Sequence, residues 1–485
     1  MKTKFTKQVK VVKSTKKTKK GIKPEVTNTS NGVTESTPEP KTSKPVQLRT
    51  LYNGIDFQGF SQEELDYEME LYKEEKKKYT GEGKSFLRDL PIDHPLIQSI
   101  SKKWSYLVYQ WDKFRIPVGG NKSDDVQIIN DFKQLRNCSL NDILLELNDG
   151  TLVLWDFTNL DSGLNQHFPE MLDVPTTKGS IIGNFKDFKK FLKGYEDKIL
   201  NHPTTIVNEG NVYDIFKQMC RLSLGTTPVV NFPSRIGMFI LMESYYETIL
   251  LNNGIPNDNF VFLDPCSGWS SRLLSTLCVF NRMREHYRRL FKRELHVTYL
   301  STDPNEEVHE RFDNIILDWF DHIEPKETRP YFHFHKEVLG CETPEFLEYC
   351  KRTLNLYGLS GVNVSLTSPP YFNREKYSKD PSQSYLKYKT YPEWRIKFLK
   401  GMIDNVHELL NPGGCFYLNI SNTQEPNGKV NPMETDSVTF FHECGMKPVR
   451  TYKMLLSSTG SSKSVNFIGD DEINHKFEPI FVFEK

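Results

Sequence analysis

Thr367-Ser368-Pro369-Pro370-Tyr371-Phe372 combines residue types that serve neither a strand nor a helix. Neither proline can donate to a hydrogen-bonded ladder, so the pair ends the strand before it and leaves a stiff loop with free carbonyls. That loop suits one chemistry in particular. The exocyclic amine of a nucleobase carries two N–H donors and a lone pair delocalised into the ring. Making that nitrogen nucleophilic takes acceptors that hold it toward pyramidal geometry. Ser368 Oγ and the Pro369 carbonyl supply the acceptors, with Pro370 stiffening the turn. Tyr371 supplies a ring on which a base can stack, an interaction worth about 1–3 kcal/mol. The reaction requires neither a carboxylate nor a metal, and a proline-rich ligand or plain loop fits poorly with a position directly after a strand.

Two further segments stand after short apolar runs. Asp264-Pro265-Cys266-Ser267-Gly268-Trp269 is followed by Ser270-Ser271-Arg272 and a helical stretch; small residues there let the backbone approach a bound cofactor. Asp303, with Pro304 and Asn305, lies 39 residues beyond Asp264, where a carboxylate at a strand end can accept hydrogen bonds from a ribose diol. Asp303 also reads as an N-cap for the stretch beginning near Glu306, and the two roles can coexist.

The elements that must position these residues alternate. Seven candidate strands span 260–263, 296–301, 331–335, 362–366, 415–420, 447–455 and 479–483, with helical stretches at 270–293, 306–319, 344–356, 391–410 and 435–442. Such alternation predicts an α/β fold, a parallel sheet with helices on both faces, whose ligands bind beyond the carboxyl ends of the strands. All three segments fall there.

On these motifs, residues 226–485 resemble S-adenosylmethionine-dependent amino-methyltransferases acting on nucleic acid. The nearest pattern is a DNA methylase family with members in phages and other viruses. Its first motif reads Asp-Pro-Cys-Ala-Gly-Trp-Gly-Gly-Arg and its catalytic motif Ser-Pro-Pro-Tyr-Phe. Similarity extends to Glu375-Lys376-Tyr377, Gln383-Ser384-Tyr385, Tyr391-Pro392-Glu393-Trp394 and the final Phe477 to Phe483 strand. The resemblance implies a Rossmann-like seven-stranded sheet and S-adenosylmethionine as cofactor. It also implies that Phe232 and Pro233 close over the methionine end of the cofactor. Ser267 replaces the family's Ala, and Ser270 and Ser271 replace two glycines.

Motif order leaves no large target-reading insertion after the catalytic loop. The loop 373–390 carries four lysines and three tyrosines, a mixture suited to phosphate contact and base stacking. Phe372, Lys376, Tyr377, Gln383 and Ser384 are the candidate nucleic-acid contacts, and in a DNA duplex the target base would have to be flipped out.

Composition sets the remaining bounds. The chain has 485 residues, 63 Lys plus Arg against 63 Asp plus Glu, and no apolar run of the roughly 20 residues a membrane helix needs. An intracellular, soluble protein is expected, in the cytoplasm, or in the nucleus of a host that has one. The eight scattered cysteines form no Cys-x-x-Cys pair, and no metal site is expected. The neutral average conceals an asymmetry: residues 1–49 hold thirteen basic side chains against three acidic ones, a net of +10. That segment reads as a disordered basic tail able to contact phosphate backbones without reading sequence. Residues 50–225 read as an accessory domain for nucleic acid or a partner. Methylation of a cytosine ring carbon would need a nucleophilic Cys, and Cys266 lies in the cofactor turn instead. A dehydrogenase would need a Gly-x-Gly-x-x-Gly run that is lacking. DNA is the first substrate read from these residues; RNA, and a non-catalytic nucleic-acid-binding scaffold, are the alternatives. Adenine N6 and cytosine N4 both stay open.

Overall fold

The computed structural model describes residues 62–79, 85–114, 125–156, 181–201, 231–372, 374, 380–425, 427–456 and 477–485. The basic tail, Lys376 and Tyr377 lie outside them. Among the described residues eleven strands run in chain order: β1 (Leu144–Glu146), β2 (Leu152–Leu154), β3 (Asn259–Asp264), β4 (His296–Thr302), β5 (Phe332–Glu337), β6 (Val362–Thr367), β7 (Leu410–Asn419), β8 (Thr423–Gln424), β9 (Val430–Asn431), β10 (Lys447–Leu455) and β11 (Phe477–Glu484). Nine form one sheet in the order β1-β2-β10-β11-β7-β6-β3-β4-β5, while β8 and β9 make a separate short hairpin.

The seven expected strands are all present, and the sheet is Rossmann-like with helices on both faces. It differs from expectation in two ways. First, β11 is antiparallel to both its neighbours, β10 and β7, so the sheet is mixed rather than parallel. Second, β1 and β2, from before residue 226, extend the sheet through the parallel pairing of β2 with β10. The sheet thus crosses the sequence boundary drawn at 226. An antiparallel strand inside a mostly parallel sheet is tolerated because the two pairings differ little in stability per residue.

Strand alternation builds the two layers. Phe260 and Phe262 of β3 pack into one core with the helices Ser234–Asn252, Ser271–Phe291 and Glu306–His322. Val261 and Leu263 point into the other, with Pro344–Leu356, Gly401–Leu409 and Met433–Glu443. Every residue of β3 is buried, as a strand covered on both faces requires. The helices Ser234–Asn252 and Ser271–Phe291 approach closely where Gly237 faces Ser275, because a Cβ at 237 would collide with that hydroxyl.

A third core lies in the helical segments before residue 202. Helices Gln62–Lys78, Pro95–Phe114, Ile181–Lys186 and Phe188–Tyr195 enclose Ile97, Ile100, Phe185, Phe191 and Tyr195. Two buried carboxylates organise it. Glu68 takes Lys103 Nζ at 2.6 Å and the Tyr195 hydroxyl at 2.7 Å. Glu196 accepts from the Tyr72 hydroxyl (3.0 Å), Ser85 Oγ (2.8 Å) and the Leu87 amide (3.2 Å). Among the described residues no helix is long and apolar enough to cross a membrane.

Candidate active site

The sheet reverses its winding between β6 and β3. From β3 the chain moves outward to β4 and β5, then crosses back to β6 and β7 on the other side. A crevice forms beyond the carboxyl ends at such a switch point, since the crossing helices diverge there. Register places the expected residues around it: Leu263 pairs with Ser365 on one side, and Asp264 with Ser301 on the other. The Asp264 turn, the Asp303 segment and the Ser368 loop therefore leave three adjacent strands.

The turn after β3 is a braced coil. Asp264 is fully buried, and its Oδ2 accepts from Arg272 Nε at 2.9 Å and from the Tyr299 hydroxyl at 2.7 Å. Asp264 Oδ1 has no hydrogen-bond partner. Burial pushes this carboxyl above its ordinary range, against the pull of Arg272. Arg272 also donates to the Cys266 carbonyl, and its guanidinium lies 5.9 Å from the centre of the Phe232 ring. Ser267 N donates to the Thr302 carbonyl at 3.0 Å, and Thr302 Oγ1 to the Pro265 carbonyl at 2.9 Å, which staples this turn to β4. Gly268 takes a left-handed φ of 51°, and a Cβ there would meet nothing nearer than the Cys266 carbonyl at 4.0 Å. Ser270 takes φ 65° at the head of the helix Ser271–Phe291, a conformation that suits glycine, with its hydroxyl buried and unpartnered. Trp269, partly exposed, packs at the margin of the adjoining core.

Asp303 is partly exposed beside this turn. Its Oδ2 accepts the Gly268 amide at 3.0 Å and its Oδ1 the Asn305 amide at 2.9 Å. Loss of surrounding water pushes its carboxyl up to about 6, although both amides favour the charged form. Asn305, rather than Asp303, stands at the N-cap position of the helix Glu306–His322, and its side chain makes no capping hydrogen bond. Phe232 is buried and Pro233 caps the helix Ser234–Asn252. The start of that helix is tied to the next one, since Ser275 Oγ donates to the Ser234 carbonyl at 2.9 Å. The sequence thus converges two helix N-termini on one turn.

Beyond β6, Ser368 is partly exposed and makes no hydrogen bond among the described residues. Pro369 is buried and Pro370 partly so. Tyr371 is 6% exposed and donates its hydroxyl to Glu478 Oε2 at 3.0 Å. Three of the expected nucleic-acid contacts face inward. Phe372, 4% exposed with φ 47°, packs against Tyr391 and Trp394. Ser384 accepts the Trp394 indole N–H at 3.2 Å, and Gln383 is buried beside it, its amide nitrogen unpartnered. The physical reason is apolar area: an aromatic after a tight turn is held more strongly by two rings than by water. Exposed cations nearby are Arg374 and Lys389, while Lys387 is paired with Glu342 at 2.7 Å.

Reading by motif missed Tyr299, Asn419 and Glu478 as site neighbours. Arg272 was visible as part of the resemblance but not as the clamp it forms. Its signal was spacing, eight residues beyond Asp264 on the first helical turn. Glu478 left no local signal, because its place depends on strand direction. Among the described residues no group of three or more His, Cys, Asp or Glu could hold a metal ion.

No curated protein matches the chain. Many solved structures are similar, three of them as follows. A protein of Listeria monocytogenes described as a class I S-adenosylmethionine-dependent methyltransferase is 14% identical over 74% of this chain and 88% of that one, with a TM-score of 0.32. An S-adenosylmethionine-dependent O-methyltransferase of Thermotoga maritima is 12% identical over 55% of this chain and 69% of that one, at 0.27. A DNA modification methylase of Thermus thermophilus, described in complex with S-adenosyl-L-methionine, is 19% identical over 28% of this chain and 52% of that one, at 0.19. The chain thus spans about half the length of the Thermus protein. Residues 362–485, which begin with β6 and carry the Ser368–Tyr371 loop through to β11, match the N6/N4 methyltransferase family model, described as DNA methylase.

Proposed function

We propose that the chain transfers a methyl group from S-adenosylmethionine to the exocyclic amine of a base in DNA, at adenine N6 or cytosine N4. The observation that carries this reading is the placement of the Ser-Pro-Pro-Tyr loop beside the Asp264–Arg272 turn at the switch point, within the segment that matches the DNA methylase family.

The residues present fit the cofactor. Each Asp303 oxygen accepts one amide, and a carboxylate oxygen has room for a second donor such as a ribose hydroxyl. Gly268 leaves open space where a side chain would stand. Asp303 with Gly268 would hold the nucleoside, with Pro265, Cys266, Ser267, Trp269, Pro304 and Asn305 shaping the walls. Phe232 and Pro233 would stand near its amino-acid end. When bound, S-adenosylmethionine supplies an electrophilic methyl on a positively charged sulfonium.

The chain's own work is positioning. Ser368 Oγ and the Pro369 carbonyl accept the amine's two N–H bonds, which turns the nitrogen lone pair out of the ring. The prolines fix those acceptors without the entropy cost a flexible loop would bring. Tyr371 stacks on the base and holds it against the turn. Arg374 and Lys389 give the rim a phosphate-binding character that the basic tail would extend.

The test incubates the protein with labelled S-adenosylmethionine and mixed-sequence DNA and RNA, then identifies the labelled nucleoside by mass. Label on the amine of deoxyadenosine or deoxycytidine supports the proposal and names the base. Label in ribonucleosides alone replaces DNA by RNA. Absence of both transfer and cofactor binding removes the enzymatic reading.

A further inference from the structure

Because β11 runs against β7, its first residues arrive where every parallel strand of the sheet ends. Ile480 pairs with Asn419 and Phe481 with Leu418, which in turn pairs with Thr367. Glu478 therefore stands beyond the end of β7 while still laddered to β10, over the loop that follows Thr367. Its backbone is anchored: Asn419 Nδ2 donates to the Pro479 carbonyl at 3.1 Å, the Ile420 amide reaches the same oxygen at 3.4 Å, and Glu478 pairs with Met454 of β10. From this fixed position its carboxylate takes the Tyr371 hydroxyl at 3.0 Å.

We infer that Glu478 is a positioning residue for methyl transfer, setting the plane of the Tyr371 ring on which the target base stacks. The inference rests on the proposed function. Tyr371 lies in the same apolar core as Phe372 and Trp394, and the bond to Glu478 adds a polar anchor to that packing. The residue after it turns through a positive φ, and its neighbouring backbone bonds are short-range ones, Phe372 N to the Pro370 carbonyl and Arg374 N to the Tyr371 carbonyl. The ring torsion of a tyrosine is broad and roughly two-fold, so backbone alone does not set the ring plane. A base displaced by about 1 Å from its productive pose can lose up to ~10²-fold in rate. The tether spans 107 residues of sequence, which joins the catalytic loop to the end of the chain.

The experiment compares the full-length wild type with E478A, E478Q, Y371F and the E478A/Y371F double variant. It reads kcat and KM with mixed-sequence DNA, S-adenosylmethionine affinity by calorimetry, and the thermal midpoint. E478A should lower kcat/KM about tenfold, the worth of one hydrogen bond to a charged acceptor. Cofactor affinity should not change. E478Q keeps an oxygen acceptor and should stay within about twofold of wild type. Y371F should be impaired as E478A is, and the losses should be less than multiplicative in the double variant, because the two changes share the Tyr371–Glu478 bond. An unimpaired E478A, or losses that multiply in the double variant, would overturn the inference. So would an E478Q as impaired as E478A. If E478A does not fold, the E478Q and Y371F pair still decides: Y371F must be impaired and E478Q must not. A wild type that transfers no methyl overturns the functional reading and Glu478's role together, whereas an active wild type with an unimpaired E478A overturns only the latter.

Discussion

Two pairs of low-solvent carboxylates in this molecule are treated in opposite ways. In the helical segments, Glu196 is met by two hydroxyls and by backbone amides, and Glu68 by a lysine and two hydroxyls. At the ends of β3 and β4, Asp264 keeps one oxygen without a partner and Asp303 holds one amide on each oxygen, its carboxyl pushed up to about 6. A carboxylate whose lone pairs are filled from within the chain serves as a pin, since its desolvation cost is already met. Asp264, fully buried, is braced by Arg272 and Tyr299, whereas Asp303 is partly exposed and carries only one amide per oxygen. By this contrast Asp303 is the acid expected to meet a ligand.

The largest expected effect is on turnover. S368A should lower kcat by about 10²-fold, the order seen when a transition-state acceptor or donor is removed, while cofactor affinity measured by calorimetry stays unchanged. D303A should do the reverse, weakening S-adenosylmethionine binding roughly tenfold or more with a smaller change in kcat at saturation. Equal effects of both changes on both properties would dissolve the assigned division of roles. Asp303 also gives that comparison a pH dependence. A protonated carboxyl has lost an acceptor, and the group's value lies near 6. Affinity should therefore rise as pH climbs from about 5 to 7 and then level off, binding of the ionised form releasing a proton. D303N should flatten the profile, which titration calorimetry in two buffers can follow.

E196A tests the pin. Leaving several donors buried without their acceptor should cost about 2–4 kcal/mol of stability in chemical denaturation, with cofactor affinity of the folded fraction unaltered. A change in affinity would mean that the helical segments and the crevice are coupled. The smallest expected effect is a gain. Ser270 adopts a left-handed conformation that costs a non-glycine residue about 1 kcal/mol, so S270G should raise stability by that order and leave kcat in place. A loss of stability would show instead that the buried hydroxyl has a use.

The sequence by itself carried the strand and helix alternation, the position of both aspartates after strands, the proline pair and the small-residue turn. These are local properties. Alternation with period two follows from the pleat of a single strand, and a proline ends a ladder wherever it stands. Asp264, Asp303 and Ser368 were legible because each closes its own strand.

Tertiary structure alone decided how those local pieces meet. A period-two pattern has no direction, so nothing in Phe477 to Glu484 reveals that β11 enters the sheet upside down and delivers Glu478 to Tyr371. Nothing in Leu152 to Leu154 reveals a partner three hundred residues later in β10. Phe372, Gln383 and Ser384 read as surface contacts because polar and basic neighbours surround them; yet Phe372 packs on the rings of Tyr391 and Trp394, Ser384 takes the Trp394 indole N–H, and Gln383 is buried. In each case the deciding free energy lies between segments far apart in the chain. Such energies depend on which surfaces are left to cover once the sheet has formed, a quantity that no single segment contains.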